Sequence, residues 1–164
     1  MIEEVVNQQQ IQTVEDLAGV IWVEHFTAII GPAQVEYMLR TFQSVEAISR
    51  QIEEGCKYYL VMDDQWPCGY IAVEPRKEKG ELFLSKLYLL GTKRGKGIGR
   101  KAFMWCVDYA KSRGLGKITL RCNINNTVAL DFYRKAGFVT TRHDIKQLDD
   151  GFVMDDYLME LTVL

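Results

Sequence analysis

A short basic, glycine-rich segment is the part of this sequence whose residue types most directly suggest chemistry. Residues 93–101 read KRGKGIGRK, follow the apolar stretch LYLL and run into a segment with helical apolar spacing. A glycine-rich turn lets the backbone approach a ligand closely, and the free N–H groups and dipole at a helix N-terminus favour an anion. The segment therefore predicts a site for a phosphate-bearing ligand, with a flexible turn carrying solvated lysines as the simpler alternative.

Two common phosphate-binding motifs fit this segment poorly. A Walker loop requires the spacing G-x-x-x-x-G-K-[ST], which does not occur here. Residues 97–102 do satisfy the dinucleotide pattern G-x-G-x-x-A. That pattern expects an acidic residue about 20 positions later, at the end of the next strand. The next predicted strand ends in Arg121-Cys122-Asn123 and offers no acid, so a dinucleotide site is disfavoured.

The composition predicts a cytoplasmic globular protein rather than a nucleic-acid or membrane protein. The 164 residues carry 20 basic and 22 acidic side chains, a formal charge of −2, whereas nucleic-acid-binding domains usually have a basic excess. No apolar run approaches the ~20 residues of a membrane span, and the N-terminus lacks a signal-peptide core. The four cysteines form no C-x-x-C pair, which argues against a metal site or a disulfide framework.

Three helices are predicted ahead of the main strand patterns. Thr13, with Asp16 three residues later, resembles the N-cap of the first helix. Gly31-Pro32 ends that helix and begins a second, because proline suits a first helical turn. Ser44 can cap a third.

The remainder of the chain predicts strands interspersed with two further helical patterns. The strands are expected at residues 2–6, 56–63, 69–75, 81–90, 117–123, 138–145 and 152–161. The apolar alternation slips within 81–90, which either a β-bulge near Ser85-Lys86 or burial on both faces would explain. The fold class is therefore α+β: one domain spanning 1–164, with a mixed, mostly antiparallel sheet of about six to seven strands and about four helices.

Two separated motifs resemble the signatures of the GNAT superfamily of N-acetyltransferases. Arg94, Gly97 and Gly99 meet the superfamily's acetyl-CoA pattern Q/R-x-x-G-x-G/A. About thirty residues later, 126–138 matches its second common pattern, N-x-x-A-x-x-F-Y-x-x-x-G-F. The stretches LSKLYLL and DDYLMEL look most similar to bacterial small-amine acetyltransferases, including the spermidine/spermine type.

The resemblance implies a GNAT-like fold in which the strand at 81–90 is bulged and splayed, and it implies a donor and a reaction. The acetyl group of acetyl-CoA would pass directly to a primary amine of a small molecule, with a polyamine-like acceptor favoured, through a tetrahedral intermediate. No metal is implied. The cofactor-binding residues carried over by the resemblance are Leu87, Tyr88 and Leu89 for the pantetheine arm; Arg94, Gly95, Lys96, Gly97, Ile98, Gly99 and Arg100 for the pyrophosphate; and Asn123, Asn126 and Tyr133 for the opposite side of the cleft.

Acetyl transfer to an amine requires removal of the amine proton, stabilisation of an oxyanion and protonation of the leaving thiolate. Tyr133 is the expected acid, although a purely aromatic core role is the alternative. The resemblance implies that the backbone N–H near Leu89 is the oxyanion donor. Glu81 is the candidate base, with a solvated strand-end charge or a water chain as alternatives. His25 and His143 are expected in core or surface roles.

The sequence is also compatible with other acceptors and with other functions. The acceptor could be a protein N-terminus or lysine, and the domain could be a non-catalytic acyl-CoA-binding sensor. Dimerisation through the terminal strands is common in similar proteins, so a homodimer is also open. The expected lining of the acceptor pocket is partly acidic, which would attract a cationic amine; the residues considered are Glu36, Tyr37, Tyr88, Asp149, Asp150, Asp155 and Asp156.

Overall fold

A computed structural model describes residues 1–164 and confirms the α+β class. Its sheet has seven strands in the order β1-β2-β3-β4-β5-β7-β6. The strands are β1 (Ile2–Glu4), β2 (Lys57–Asp63), β3 (Trp66–Arg76), β4 (Glu81–Leu89), β5 (Lys117–Asn123), β6 (Val139–Gln147) and β7 (Val153–Thr162). The five helices are α1 (Gln8–Ile30), α2 (Pro32–Phe42), α3 (Val45–Glu53), α4 (Ile98–Ser112) and α5 (Thr127–Lys135).

The chain forms two compact units. The first comprises residues 1–74 and 85–106, and the second comprises residues 75–84 and 107–164. In the first unit, β2 pairs antiparallel with β1 and β3. The core of this unit includes Ile21, Ile48, Tyr58 and Tyr70, each of which is almost completely buried.

The start of α1 differs from the sequence prediction. The helix begins at Gln8 rather than near Thr13, and Asn7 is its N-cap. The Asn7 side chain accepts from the Gln10 N–H at 2.9 Å, and the Gln10 side chain returns to the Asn7 N–H at 3.2 Å. This capping box satisfies two donors that would otherwise lack partners, so the helix starts six residues before the position that a Thr13 cap predicts. Thr13 instead bonds back to the Gln9 carbonyl from within the helix.

In the second unit, β4 and β5 pair in parallel and β7 lies between β5 and β6. The parallel pairing joins Glu81–Phe83 to Lys117–Thr119. The β5–β7 and β6–β7 pairs are antiparallel. The unit core includes Leu82, Ile118 and Met159, which are almost fully buried.

The four cysteines lie in the interior of the protein. All four cysteines are free and buried, and no group of His, Cys, Asp and Glu side chains could hold a metal ion. Burial raises the pKa of Cys106 and of Cys122 to about 12, so neither thiol ionises at neutral pH. No helix combines the length and the apolar character that crossing a bilayer would require.

Candidate active site

The glycine-rich turn leads directly into the N-terminus of α4. Gly95 and Gly97 have φ angles of 74° and 82°, a left-handed conformation that glycine adopts without steric cost. A Cβ atom built at either position meets nothing within 4 Å, so open space adjoins both backbones. The first helical bond of α4 runs from Lys101 N to Gly97 O, and the N–H groups before it have no partner within the helix. This arrangement fits the approach of a phosphate group.

Two basic side chains of the turn, Lys93 and Arg94, contact other residues of the same unit. Lys93 forms a 2.7 Å ion pair with Asp63, which lowers the pKa of that carboxyl. Arg94 lies 3.0 Å from His25 Nδ1 and also donates to the Leu89 carbonyl at 3.5 Å. Lys96 and Arg100 are exposed. Two cations therefore tie the turn to its own unit, and exposed cations remain beside the glycines.

The end of β4 lies against close-packed neighbours in the same unit. Leu87 and Tyr88 are partly exposed, whereas Leu89 is buried. The Tyr88 ring contacts Trp22, Phe26 and Tyr70 edge-on, with centroids 5.4–5.8 Å apart. These contacts fix the part of β4 that the resemblance assigns to the pantetheine arm.

Gly69 on β3 lies very close to this part of β4. A Cβ at Gly69 would lie 2.3 Å from the Tyr88 carbonyl oxygen and 2.6 Å from Leu89 Cδ2. The first of these atoms is backbone, so β4 could not accommodate a side chain without moving. Glycine at this position therefore sets the spacing of the two strands.

We expect Gly69→Ala to destabilise the protein by about 1–3 kcal/mol because it overpacks the β3–β4 contact. The shift of Tyr88 and Leu89 should also raise KM for acetyl-CoA. The control is Gly19→Ala, whose Cβ meets nothing within 4 Å inside α1. That change should stabilise the protein by about 0.5–1 kcal/mol. Urea unfolding and donor saturation curves measure both, and equal stability of the two variants would contradict the close-approach argument.

Tyr133 lies on α5 within the second unit. Its side chain is 9% exposed, and its ring meets Phe132 and Phe138 edge-on at 5.4 and 5.3 Å. Phe138 N also bonds to the Tyr133 carbonyl and closes the end of the helix. The core packing foreseen as the alternative role is thus present. It holds the ring in a defined orientation, and the acid role of the hydroxyl stays a prediction.

Asn123 and Asn126 shape the turn between β5 and α5. The Asn126 side chain caps α5 by accepting from Ala129 N at 3.4 Å, and Asn126 N bonds to the Asn123 carbonyl. Asn123 Oδ1 accepts from Asn125 N at 2.8 Å. Both residues of the predicted cofactor set therefore have local structural roles, and their contacts with a ligand remain predictions.

Glu81, the candidate base, is a buried and engaged carboxylate at the first residue of β4. It accepts from Thr119 Oγ1 at 2.7 Å and lies 3.5 Å from Arg76 Nη1. Its side chain is not the solvated strand-end charge that was one expectation. These partners favour a structural role at the β4–β5 pairing, and the base role remains an untested prediction.

Two acidic residues of the expected acceptor pocket have basic partners. Asp155 lies 2.5 Å from His143 Nε2, and Asp156 lies 3.0 Å from Arg121 Nε. Burial raises the pKa of Asp156, and the hydrogen bond from Arg121 partly offsets that rise. The Arg121 partner and the raised pKa both reduce the negative charge that Asp156 could offer a polyamine.

A buried polar cluster around Lys86 was not expected from the sequence. Lys86 Nζ donates to the Phe42 carbonyl at 2.8 Å, to Gln51 Oε1 at 3.1 Å and to the Tyr58 hydroxyl. The Tyr58 hydroxyl also donates to Gln51 Oε1, at 2.5 Å. Burial lowers the pKa of Lys86 to about 7. The only sequence signal was a charged residue within an apolar strand.

Several solved structures similar to this chain are described as N-acetyltransferases. They include a PaiA N-acetyltransferase from Thermoplasma acidophilum in complex with coenzyme A, 21% identical over 99% of both chains with a TM-score of 0.79. A ribosomal-protein alanine N-acetyltransferase from Escherichia coli is 14% identical over 99% of this chain and 93% of that one, with a TM-score of 0.73. A spermidine N-acetyltransferase chimera from Vibrio cholerae and hSSAT is 17% identical over 99% and 94%, with a TM-score of 0.73. These similarities define the fold. Among curated proteins, none matches.

The family follows from the sequence match. A model of the acetyltransferase (GNAT) family matches residues 21–138, more than half of the chain, including the glycine-rich turn and the α5 motif. The chain belongs to the acetyltransferase (GNAT) family. It is an acetyl-CoA-dependent N-acetyltransferase, and acetyl-CoA is the donor of the acetyl group.

Proposed function

We propose that this protein, as one domain spanning residues 1–164, transfers the acetyl group of acetyl-CoA directly to a primary amine of a small-molecule acceptor. The observation that carries the proposal is the turn before α4. Its glycines leave open space beside the backbone, the first N–H groups of α4 are available, and Lys96 and Arg100 are exposed beside them. Such a site suits the pyrophosphate of the donor.

The proposed chemistry assigns one role to each remaining candidate. The amine nitrogen forms the new bond to the acetyl carbon, and the bond between that carbon and sulfur breaks. Tyr133 supplies the proton that the leaving sulfur takes up, and the N–H near Leu89 donates to the oxygen that becomes negative. The amine proton passes to water in preference to Glu81, because Thr119 and Arg76 already engage that carboxylate.

A polyamine-like acceptor is the favoured but less supported part of the proposal. One similar structure is that of a spermidine N-acetyltransferase chimera, and another is that of a ribosomal-protein alanine N-acetyltransferase. The ion pair between Asp156 and Arg121 weakens the electrostatic argument for a polyamine. A small monoamine or an amino acid therefore belongs in the same test.

The test is thiol release from acetyl-CoA across a panel of spermidine, a monoamine, an amino acid, an aminoglycoside and a peptide with a free N-terminus. We expect turnover with a small amine and little with the peptide. Turnover with the peptide alone would replace the small-molecule acceptor by a protein one. Acetyl-CoA binding in calorimetry without turnover of any amine would identify a sensor instead of an enzyme.

The contribution of the glycine-rich turn to the affinity for coenzyme A can be measured separately. We expect Lys96→Ala combined with Arg100→Ala to raise the Kd of coenzyme A about tenfold or more, since each exposed cation contributes a charge-assisted contact with phosphate. Lys111→Ala with Arg113→Ala removes the same charge from the last turn of α4 and the residue just after it, and is the control. Equal affinity of both double variants in calorimetry would place the pyrophosphate elsewhere.

A further inference from the structure

Two contacts hold the Arg94 side chain against other parts of its own unit. Arg94 Nη1 lies 3.0 Å from Nδ1 of His25 on α1, and Nη2 donates to the Leu89 carbonyl at 3.5 Å. Arg94 itself follows a 3₁₀ turn (Gly91–Lys93) and precedes Gly95, whose φ is 74°. Its guanidinium therefore joins α1 and the last residue of β4 to the start of the glycine-rich turn.

The contact between Arg94 and His25 fixes the protonation state of the imidazole. A guanidinium has only N–H donors, and it stays protonated in proteins. Nδ1 of His25 is therefore the acceptor, which requires a neutral ring with its hydrogen on Nε2. A protonated imidazole carries a hydrogen on both nitrogens, so it could not accept from Arg94, and its charge would repel the guanidinium.

Aromatic contacts orient the imidazole next to β4. The His25 ring meets the Phe26 ring edge-on, with centroids 4.8 Å apart. Phe26 is buried and meets Tyr88 of β4 edge-on at 5.8 Å. His25 therefore belongs to a packed stretch of α1 beside the strand end that Arg94 contacts.

Three further charged side chains lie where α1 and β2 meet the turn: Glu24, Lys93 and Asp63. Lys93 and Asp63, the last residue of β2, form the 2.7 Å ion pair described above. The Glu24 carboxylate lies beside the backbone of Gly91, because a Cβ built on that glycine would be 3.2 Å from Glu24 Oε2. Neither carboxylate bonds to Arg94, so His25 is the side chain that accepts from the guanidinium.

We infer that His25 is a positioning residue for the acetyl donor: its neutral imidazole holds Arg94, and through Arg94 the glycine-rich turn, in the arrangement that binds the coenzyme A phosphates. The Arg94 side chain acts on the turn rather than on a phosphate, because both of its terminal nitrogens contact protein acceptors. Glycine loses more conformational freedom on ordering than any other residue, so an anchored turn binds with a smaller entropic cost. This inference rests on the proposed placement of the pyrophosphate at the turn.

Two substitutions separate the acceptor at Nδ1 from the packing of the ring. His25→Asn offers Oδ1 in place of Nδ1 and cannot be protonated, whereas His25→Leu has no acceptor. At pH 8 we expect His25→Leu to raise the Kd of coenzyme A in calorimetry about five- to tenfold, because a charge-assisted hydrogen bond is lost. His25→Asn should stay within about twofold of the wild type. An unchanged Kd for His25→Leu, or an equal loss in both variants, would overturn the inference.

The pH dependence distinguishes the imidazole's role from a packing effect. Imidazoles become protonated as the pH falls from 8 to about 5.5. The wild-type Kd should therefore rise toward that of His25→Leu, and His25→Asn should bind coenzyme A more tightly than the wild type at about pH 5.5. The ligand phosphates and Lys86 titrate alike in all three proteins, so the ratios of the Kd values remove those contributions. A ratio of His25→Asn to wild type that does not change with pH would contradict the proposed role.

The chain has only two histidines, so nitrogen NMR can resolve both imidazoles. At pH 8 His25 should carry its hydrogen on Nε2, and a hydrogen on Nδ1 would rule out the contact with Arg94. His143→Asn is the matched control, because His143 pairs with Asp155 in the second unit. Its coenzyme A affinity should follow the wild-type pH dependence, whereas a loss of that dependence would assign the titration to His143.

The double variant Lys96→Ala with Arg100→Ala separates a failure of this inference from a failure of the proposed donor site. If it weakens coenzyme A binding and His25→Leu does not, the turn binds the pyrophosphate and only the role of His25 is wrong. If neither changes the Kd, the placement of the pyrophosphate at the turn is wrong as well. Weaker binding in both is the result we expect.

Discussion

Tyr133→Phe is expected to lower kcat by about 10²- to 10⁴-fold, the usual contribution of a positioned general acid. Phenylalanine retains the edge-on contacts with Phe132 and Phe138 and removes only the hydroxyl. Folding stability and the affinity for acetyl-CoA should therefore change little. Steady-state kinetics with saturating amine and urea unfolding separate the loss of catalysis from a loss of structure.

The control for this change is Tyr109→Phe, because Tyr109 is also buried and lies in the same unit. It removes one phenolic hydroxyl that has no proposed part in the reaction, so kcat should stay near the wild-type value. If Tyr133→Phe turns over at the wild-type rate, Tyr133 is a core residue and the leaving sulfur takes its proton from another donor.

A second large effect is expected from the protonation of Lys86. Its pKa is lowered by burial from 10.5 to about 7 in the folded protein. Between these values the unfolded chain binds a proton that the folded protein has released, so the free energy of unfolding rises with pH. The slope is about 1.4 kcal/mol per pH unit and the full window corresponds to at most roughly 5 kcal/mol. Below pH 7 both states are protonated, and this contribution is absent.

Other buried groups limit the range in which this rise can be observed. Burial raises the pKa of Cys56 from 9.0 to about 11. Above pH 9 the unfolded thiols lose protons that the folded protein retains, so the stability falls again. Urea unfolding between pH 6 and about pH 8.5 therefore avoids the thiol contribution, and the difference in slope between the wild type and Lys86→Met gives the Lys86 contribution.

Lys86→Met should remove this pH dependence without unfolding the protein. The Phe42 carbonyl still accepts from Gln51 Nε2, and Tyr58 still donates to Gln51 Oε1, so no partner is left unsatisfied. Replacing a buried charge with a similar apolar volume is often neutral or stabilising. We therefore expect Lys86→Met to match or exceed the wild-type stability at pH 6.

Lys86→Ala is the matched variant, because it removes the same charge and leaves a cavity. It should be less stable than Lys86→Met by about 2–5 kcal/mol at every pH. Persistence of the wild-type slope in Lys86→Met would assign the pH dependence to another group.

Much of the fold could be predicted because its signals are local. The β5 bounds, the helix break at Gly31-Pro32 and the Ser44 cap depend on residues adjacent in the chain, and the structure confirms them. The predicted start of α1 was wrong because two possible N-caps, Asn7 and Thr13, lie six residues apart. Asn7 caps the helix because both hydrogen bonds of its capping box with Gln10 are formed.

The acetyl donor and the family could be predicted from two motifs, each of them a continuous stretch of sequence, because phosphate binding depends on a turn whose glycines and cations are neighbours in the chain. The partners of the charged residues could not be predicted. Arg94 and His25 are 69 positions apart and Lys86 and Phe42 are 44 apart. Contacts between segments distant in the sequence determine which cation anchors the turn, which lysine is buried and which carboxylates have a partner. Only tertiary packing brings those segments together, so only the structure shows the role of each charged residue.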